Sequence, residues 1–285
     1  MPELHPVANP ALPVRPLVIQ ATRGWRSIDL REIWSYRDLL LIFAGRDIKV
    51  RYRQTFLGAV WVMGQPLVTM LIFTLLFSRV ARLRADTGTP YPLFVLAGVI
   101  LWNFISSAIL RSGNSLLGAS HLISKVYFPR LVVPLSNVVT DLADFGVSAL
   151  LLVPMMIWYG VAPGPTLLLL PLIVLIAAAF ALGTGLWVAA LNIEYRDVRV
   201  LIPFILQIAM YVTPVVYPLT ALPVRYRQWA VFNPATGLVE AFRATLYGLP
   251  LPGLPLLWSV LASLLLLASG AYYFRRMERL FADIL

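Results

Sequence analysis

The sequence predicts an all-α membrane protein with six transmembrane helices. Five long stretches contain no Asp, Glu, Lys or Arg: residues 54–78, 87–110, 145–193, 200–224 and 244–274. Because a helix needs roughly 20 apolar residues to cross a bilayer, four of these stretches hold one span each and the longest holds two. The composition agrees, since 60% of the residues are hydrophobic, only 13% are charged and the mean hydropathy is +0.81. These values lie outside the usual range for soluble globular domains.

The part of the chain before the first apolar stretch is predicted to form a tail and a surface helix. Residues 1–25 are expected to be a mobile tail, because prolines are frequent at its start and helical periodicity is weak. Residues 26–285 are predicted to form a single transmembrane domain, which begins with an amphipathic helix over 28–43 lying on the membrane surface. The apolar residues that recur there at helical spacing are Leu30, Ile33, Trp34, Leu40 and Leu41.

The next segment, residues 47–53, reads D-I-K-V-R-Y-R and alternates between charged and apolar residues. Such alternation is typical of a strand. An isolated strand that runs into a membrane span would leave its backbone groups unpaired, so we predict a helix instead. That helix places Ile48 and Tyr52 on one face, with Lys49 and Arg53 beside them.

The apolar stretches place the six spans at about 57–78, 93–112, 133–158, 167–191, 199–218 and 254–274. Prolines on both sides of Gly164 predict a tight turn between the third and fourth spans, since proline cannot donate a backbone hydrogen bond. In the fourth span, Gly183-Thr184-Gly185 is a packing signal that lets neighbouring helices approach closely. In the fifth span, Thr213-Pro214 and Pro218 are expected to break the helix.

The segment before the last span, residues 219–253, is long, partly apolar and interrupted by proline and glycine. We predict short re-entrant periplasmic helices here, which dip into the outer leaflet without reaching the far side. Within one of them Glu240 and Arg243 lie three residues apart, a spacing that favours an ion pair. A seventh crossing is the alternative, but it places Arg225 and Arg227 badly and sends the C-terminus outside.

Positive charge is distributed unevenly between the two sides of the predicted bundle. Seventeen Lys and Arg residues flank the helix ends that share a side with the N-terminus, and six flank the opposite ends. Because cytoplasmic loops retain positive charge, both termini are expected in the cytoplasm. The net charge of +10 then reflects topology and contact with anionic lipid headgroups. Nucleic acid is not expected as a partner, since the arginines are dispersed around apolar spans.

The sequence lacks the residues that several kinds of catalytic and binding site require. Without cysteine there is no disulfide or thiolate metal site, and two histidines cannot build a metal site by themselves. The sequence contains no G-x-x-x-x-G-K-[ST] phosphate loop and no Gly-Lys pair, so this chain cannot cradle ATP itself. No Ser/His/Asp set or carboxylate pair suited to glycosyl transfer is present. We therefore predict a transport subunit with no cofactor of its own, rather than an enzyme.

Two acidic residues fall inside the predicted third span. Asp141 and Asp144 lie three residues apart on one helix face, and an aspartate at the bilayer centre costs roughly 2.5–3.5 kcal/mol on insertion scales. Two carboxylates on one face are compatible with a proton relay, which would favour an ion-coupled transporter. The interpretation we favour places them near the cytoplasmic interface, bonded to a neighbouring helix through Arg111 or Arg130.

Six segments carry a family resemblance, in order, within residues 28 to 280. They are R-D-I-K-V-R-Y-R-Q-T-F-L-G-A-V-W (46–61), Q-P-L (65–67), Y-P-L-F-V-L-A-G (91–98), L-I-S-K-V-Y-F-P-R (122–130), N-I-E-Y-R-D-V (192–198) and F-N-P-A-T-G-L-V-E-A-F-R (232–243). Together they resemble the permease subunits of ABC-2 type exporters that move polysaccharides, the group that exports O-antigen, teichoic acid and capsule. The first 25 residues fall outside the resemblance.

The resemblance implies a six-span half-channel that pairs with a second copy as a homodimer in a bacterial inner membrane. Two copies of a separate ABC ATPase subunit, which hold the ATP and Mg²⁺, would drive it. A lipid-linked polysaccharide would be the substrate. The alternatives are an ABC exporter of a drug or small lipid, and an ion-coupled flippase or secondary transporter.

The resemblance also implies two cytoplasmic sites. A coupling helix between the second and third spans would insert into a groove of the ATPase, and its residues are His121, Lys125, Tyr127, Phe128, Pro129 and Arg130. A cytoplasmic gate would consist of Arg46, Asp47, Lys49, Arg51 and Arg53, paired by charge with the segment that holds Glu194, Arg196 and Asp197. Solvated, charged loop ends with interfacial aromatics are the alternative for both segments.

An extended carbohydrate needs a wide conduit lined by rings and hydrogen-bonding groups. Rings pack on the apolar C–H faces of sugars, while amides and hydroxyls meet the sugar hydroxyls. The predicted channel-lining residues are Trp61, Gln65, Phe73 and Phe77 in the first span, with Gln207, Tyr211 and Tyr217 in the fifth. The two glutamines would be unsatisfied in lipid, which indicates that they face a cavity or another helix. An ordinary lipid-facing aromatic belt is the alternative for the rings.

Overall fold

A computed structural model describes residues 30–53, 58–80, 88–119, 125 and 128–284. All regular secondary structure in these residues is helical, which confirms the predicted all-α class. The predicted tail over residues 1–25 and two predicted coupling residues, His121 and Tyr127, lie outside the described residues.

Eleven α-helices make up the described chain. They are α1 (Leu30–Ser35), α2 (Arg37–Arg53), α3 (Gly58–Phe73), α4 (Tyr91–Gly118), α5 (Val132–Ala149), α6 (Leu152–Tyr159), α7 (Leu170–Glu194), α8 (Val198–Val212), α9 (Val224–Phe232), α10 (Pro234–Tyr247) and α11 (Gly253–Ile284). A π-helical turn, Thr74–Val80, continues α3. Short 3-10 helices, Pro165–Leu169 and Leu219–Ala221, precede α7 and α9.

Five segments of the described chain are long and apolar enough to cross a membrane. They are Val60–Phe77, Tyr91–Gly118, Val132–Tyr159, Pro165–Glu194 and Gly253–Glu278. They correspond to the first four predicted spans and to the sixth. The third is interrupted by a turn at Leu150 and Leu151, between α5 and α6. The nitrogen of Pro154 cannot donate to the Leu150 carbonyl, which accounts for this interruption.

The predicted fifth span, residues 199–218, is shorter in the structure. Its helix, α8, ends at Val212, so its 15 residues extend over about 22 Å, against a hydrocarbon core of about 30 Å. Thr213 has an extended backbone, with φ −82° and ψ 137°. Because the residue before a proline is pushed out of the α region, Pro214 ends the helix at this point.

The predicted surface helix is two helices in the structure. Tyr36 forms a turn between α1 and α2. Ser35 Oγ donates to the Glu32 carbonyl at 2.7 Å, a side-chain bond of the kind that bends helices. Beyond this turn α2 continues through residues 47–53, which confirms the prediction of a helix rather than a strand there.

The two sides of the α1–α2 pair have different surroundings. Ile33 and Leu40 pack against the buried core of the bundle. Trp34 and Leu41, by contrast, are 68% and 59% exposed. Part of the predicted apolar stripe therefore holds these helices on the protein, and the rest faces outwards.

The centre of the bundle is α4, which packs on α3, α5, α7 and α10. Its residues Leu93, Leu96 and Leu101 are completely buried. The helices α3 and α8 lie at the periphery and expose apolar side chains, of which Val60 is 62% and Val200 79% exposed. The core thus surrounds α4, with α3 and α8 on the outside.

Contacts between distant segments define two ends of the bundle. At the α1 end, Arg275 of α11 pairs with Glu32 at 3.2 Å. At the α9 end, Trp258 Nε1 of α11 donates to the Phe232 carbonyl at 2.7 Å. The helix α8 begins just after α7 finishes at the α1 end. Thr213, directly after α8, is bonded to Asn233 at the α9 end.

The helices α7 and α11 approach each other closely at two glycines. A Cβ atom on Gly183 would lie 2.5 Å from the backbone nitrogen of Leu267. A Cβ atom on Gly270 would lie 2.4 Å from the carbonyl oxygen of Gly183. Both contacts are with backbone, which cannot move aside as a flexible side chain can. The prediction that this glycine segment serves close helix packing is therefore confirmed.

Gly183→Leu should lower the midpoint of thermal unfolding of the purified chain in detergent by several degrees. Overpacking a well-packed site costs about 1–3 kcal/mol, and here the whole α7–α11 contact must separate. Gly146→Leu is the matched control, because Gly146 is exposed on α5 and has no atom within 4 Å of where its Cβ would lie. Equal midpoints for the two variants would contradict the close α7–α11 contact.

Candidate functional site

An open cavity of about 1120 Å³ lies between α2, α3, α4, α5 and α8. Trp61 and Gln65 line it from α3, Asn103 and Ser107 from α4, and Gln207 from α8. The charged residues in its wall are Asp47, Arg51, Arg111, Asp141 and Asp144. A large cleft with rings and a few convergent polar groups is the usual form of a ligand site. This cavity is therefore the candidate functional site.

Asp141 is buried in α5 and bonded to α4. Its Oδ1 accepts a hydrogen bond from Arg111 Nη1 at 2.9 Å and another from Ser107 Oγ at 2.8 Å. The side chain of Asp141 is only 1% exposed, and that of Arg111 is 23% exposed. The predicted bond between Asp141 and a neighbouring helix through Arg111 is thus confirmed.

Asp144, one turn further along α5, is bonded to α2. Arg51 forms an ion pair with Asp144 Oδ2, and Tyr52 Oη donates to Oδ1 at 2.9 Å. Arg130, the other predicted partner of the two aspartates, donates instead to the carbonyl of Glu278. The pairing of Arg51 with Asp144 was not predicted, although Arg51 belongs to the cationic segment just before the first span.

The two ion pairs influence each other electrostatically. Burial lowers the pKa of Arg51, and the nearby Arg111 guanidinium lowers it further, whereas Asp141 raises it. Arginine keeps its proton in proteins, so both guanidinium groups remain charged. Together they join α2 and α4 to the same face of α5.

Apart from Asp47, which lies in the cavity wall, the other predicted gate residues are not part of this charge cluster. Arg46 pairs with its neighbour Asp47 at 2.9 Å, and Lys49 and Arg53 are exposed. At the α7–α8 junction, Glu194, Arg196 and Asp197 are exposed. Within the part of the chain that the structure describes, no ion pair joins that junction to α2. The predicted pairing is therefore wrong, because α2 packs on α5 and its inward-facing cation meets Asp144 instead.

Three of the seven predicted channel residues line the cavity: Trp61, Gln65 and Gln207. The rings of Phe73 and Phe77 stack on each other, with centroids 5.8 Å apart, and pack against the core. Tyr211 is 55% exposed on α8, and its carbonyl accepts a hydrogen bond from Tyr217 Oη at 2.9 Å. The structure therefore divides the predicted set into a cavity group and a group outside the cavity wall.

Four predicted coupling residues belong to the described chain. Lys125 is exposed, Phe128 and Pro129 are buried, and Arg130 is half-buried. The ring of Phe128 packs edge-on against Phe43 of α2, with centroids 5.9 Å apart. The segment that precedes α5 is thus tied to α2, and Lys125 is its outward-facing cation.

Arg243 of α10 is almost completely buried and binds the backbone of two other segments. Its Nε donates to the Phe94 carbonyl at 3.1 Å, and Nη1 donates to the Pro214 carbonyl at 2.9 Å. Nη2 donates to the Val215 carbonyl. The predicted pair with Glu240 is confirmed, at 3.0 Å. Burial lowers the pKa of Arg243, and the Glu240 carboxylate opposes that shift.

Asn233 supports the same turn from the start of α10. Its Oδ1 accepts a hydrogen bond from the Ala235 nitrogen at 3.1 Å and caps the helix. Its Nδ2 donates to Thr213 Oγ1 at 2.8 Å. Asn233 and Arg243 therefore hold the turn after α8 from both ends of α10. The helix between them is buried along most of its length, so it packs within the protein.

Comparison with known proteins shows which family this chain resembles. The O-antigen export system permease protein RfbA of Myxococcus xanthus is 31% identical over 257 residues, which cover 89% of this chain and 98% of that protein. A protein of the same name from Klebsiella pneumoniae is 28% identical and covers 72% of this chain and 79% of its own length. The polysialic acid transport protein KpsM of Escherichia coli is 23% identical, with coverage of 82% and 91%.

Residues 38–247 match the ABC-2 type transporter family. The match begins in α2 and finishes with α10, so it includes every element that lines the cavity and the helix that carries Arg243. It extends over well more than half of the sequence. The chain belongs to the ABC-2 type transporter family.

Proposed function

We propose that this chain is the transmembrane subunit of an ATP-driven exporter that carries a lipid-linked polysaccharide across the bacterial inner membrane. The observation that carries the proposal is the similarity to the Myxococcus xanthus permease, which extends over 98% of that protein. The cavity wall also supports it. Indole rings pack on the C–H faces of sugars, and amides exchange hydrogen bonds with their hydroxyls.

The proposed topology has six crossings, with α8 as the fifth. This helix is short, yet it leads from the α1 end of the bundle to the α9 end. With that crossing included, α1 and the last turns of α11 belong on the same side of the membrane. The excess of Lys and Arg on that side supports a cytoplasmic location for both termini. The helices α9 and α10 would then lie towards the periplasm as a re-entrant pair.

The proposed transporter contains two permease copies and two ABC ATPase subunits. Each permease would contribute one cavity wall to a conduit between the copies. The contact to the ATPase would be the segment that includes Lys125, which is exposed. Because Phe128 of that segment packs on Phe43, movement of the ATPase would be transmitted directly to α2. From α2 it would reach the cavity through Arg51 and Asp144.

In this scheme the ion pair of Arg51 with Asp144 couples α2 to the conduit. Arg51→Gln should reduce glycan translocation about tenfold, since a hydrogen bond to a charged group is worth roughly 1.5–3 kcal/mol. ATP turnover should change much less, because the ATPase contact is intact. Both rates are measured in the same proteoliposomes.

Two further variants make this prediction specific. Arg53→Gln is the matched control, because Arg53 is exposed at the end of the same helix. The exchange Arg51→Asp with Asp144→Arg should recover part of the lost translocation. Wild-type translocation by Arg51→Gln would contradict the proposed coupling.

The subunit assignment is tested by purification. The permease should form a stable complex with an ABC ATPase subunit, and the complex should hydrolyse ATP in nanodiscs. The absence of a complex would contradict the assignment. Transport that follows a proton gradient without ATP would also contradict it and would favour the ion-coupled alternative.

A further inference from the structure

The cavity wall carries no excess of positive charge, although the chain as a whole has a net charge of +10. Two arginines and three aspartates line the cavity. Each of them has a partner of opposite charge, because Arg51 pairs with Asp144, Arg111 with Asp141, and Asp47 with Arg46. The basic residues of the chain therefore do not make this site cationic.

The arginines are also held in place by their partners. Asp141 is 1% exposed and Asp144 is 14% exposed, so each carboxylate depends on its arginine for compensation. If Arg51 or Arg111 turned towards an anion in the cavity, it would leave a poorly hydrated carboxylate behind. Neither arginine is thus available as a counter-charge for a passing ligand.

The groups that remain available to a ligand are uncharged. Trp61 is 69% exposed, and Gln65 on α3 and Gln207 on α8 are also exposed. Asn103 and Ser106 on α4 extend this wall. Amides and hydroxyls both donate and accept, so they can follow the hydroxyls of a sliding sugar chain without binding one sugar tightly.

We infer that this cavity selects a glycan whose repeating unit is uncharged, and disfavours a polyanionic glycan such as polysialic acid. The inference rests on the proposed function, because it assigns the substrate class of the same conduit. A carboxylate on every sugar would lose hydration between protein walls and would find no cation in return. An uncharged glycan loses only hydrogen bonds that the amides and hydroxyls replace. The polysialic acid transport protein is thus a relative whose named substrate this wall does not suit.

Binding of two length-matched probes to the full chain in nanodiscs tests the inference. One probe is an α-linked mannose hexasaccharide, and the other is an α2,8-linked sialic acid hexasaccharide. Saturation-transfer NMR is suited to the weak affinities expected of a sliding polymer. The measurement is made near 0.15 M salt, where charges more than about 8 Å away are screened. We expect the dissociation constant of the sialic acid probe to be at least about fivefold higher than that of the mannose probe.

A charge introduced into the wall should change this preference. Gln65→Lys should shift the ratio of the two affinities about threefold towards the sialic acid probe, because only the charged probe gains an attraction from the added ammonium. Gln228→Lys is the matched control, since Gln228 is exposed on α9, away from the cavity. It adds the same charge to the protein and should affect neither probe.

The outcomes separate the inference from the proposed function. Equal or tighter binding of the sialic acid probe to the wild type would overturn the inference and leave glycan export standing. Equal effects of Gln65→Lys and Gln228→Lys would also overturn it, because the preference would not arise in this cavity. Binding of neither probe would contradict the cavity as a glycan conduit, and with it both proposals.

Discussion

Arg243→Met should destabilise the permease more than any substitution on its exposed surface. The variant removes the hydrogen bonds that Arg243 donates to the carbonyls of Phe94, Pro214 and Val215, and it removes the partner of Glu240. Removing one member of a buried ion pair costs about 3–5 kcal/mol, and the lost carbonyl contacts add to that. The midpoint of thermal unfolding in detergent measures the effect.

Arg243→Lys should restore little of this stability. Arginine offers five donors in a planar fork, whereas a lysine ammonium offers three from a single point. The guanidinium also stacks on Phe94, with its carbon 3.5 Å from the ring centroid, and an ammonium cannot reproduce that planar contact. Arg225→Met is the matched control, because Arg225 is exposed on α9. An Arg243→Met variant that unfolds within about a degree of this control would contradict the structural role of Arg243.

Asp141→Asn should be the second most damaging change, and Arg111→Gln should correct it. Asparagine keeps a bond to Ser107 but leaves Arg111 without its counter-charge in the interior of the bundle. Breaking a buried pair by removing one partner costs about 3–5 kcal/mol, whereas replacing both partners is often nearly neutral. The double variant should therefore fold better than either single variant.

This pair of variants also separates the two interpretations of the intramembrane aspartates. If Asp141 is structural, the double variant should recover ATP-driven glycan translocation together with its thermal midpoint. If Asp141 relays protons, the double variant should fold and remain inactive, because neither amide takes up or releases a proton near neutral pH as a carboxylate does. A folded but inactive double variant would thus contradict our account and favour the ion-coupled alternative.

The positions of most spans follow from the length of the uncharged stretches. The second and sixth predicted spans, 93–112 and 254–274, lie inside Tyr91–Gly118 and Gly253–Glu278. Both helices continue past the uncharged stretches, 87–110 and 244–274, and charged residues beyond those stretches such as Arg111 and Arg275 find partners within the protein. Counting uncharged residues therefore locates a span but underestimates its helix.

The end of α8 shows what local patterns miss. Thr213-Pro214 was predicted to break the helix, and it does so. After this break the chain does not resume a helix up to residue 218, because the Pro214 and Val215 carbonyls accept hydrogen bonds from Arg243. That donor lies 29 residues from Pro214 and 149 from Phe94 in sequence, and no periodicity connects them. The i,i+3 pair with Glu240 was the only part of this arrangement that spacing indicated.

Two of the residues that line the cavity were predicted for a physical reason. Gln65 and Gln207 were assigned to a cavity or helix contact because an amide is costly in lipid, and both line the cavity. Rings give no such signal, since a tryptophan suits a lipid belt as well as a conduit. The charge pairs were harder to predict from the sequence. The partners of Asp144 lie on α2, with Tyr52 92 residues away in sequence, so the correct pairing depends on the packing of α2 on α5.

The most direct test of the account is glycan translocation by purified components. Proteoliposomes containing this permease and its ABC ATPase would receive a lipid-linked polysaccharide on the side where ATP is added. We expect that ATP makes the glycan accessible on the opposite side, and that a proton gradient alone does not. Translocation without ATP, or ATP turnover that moves small lipids or drugs but no polysaccharide, would contradict it.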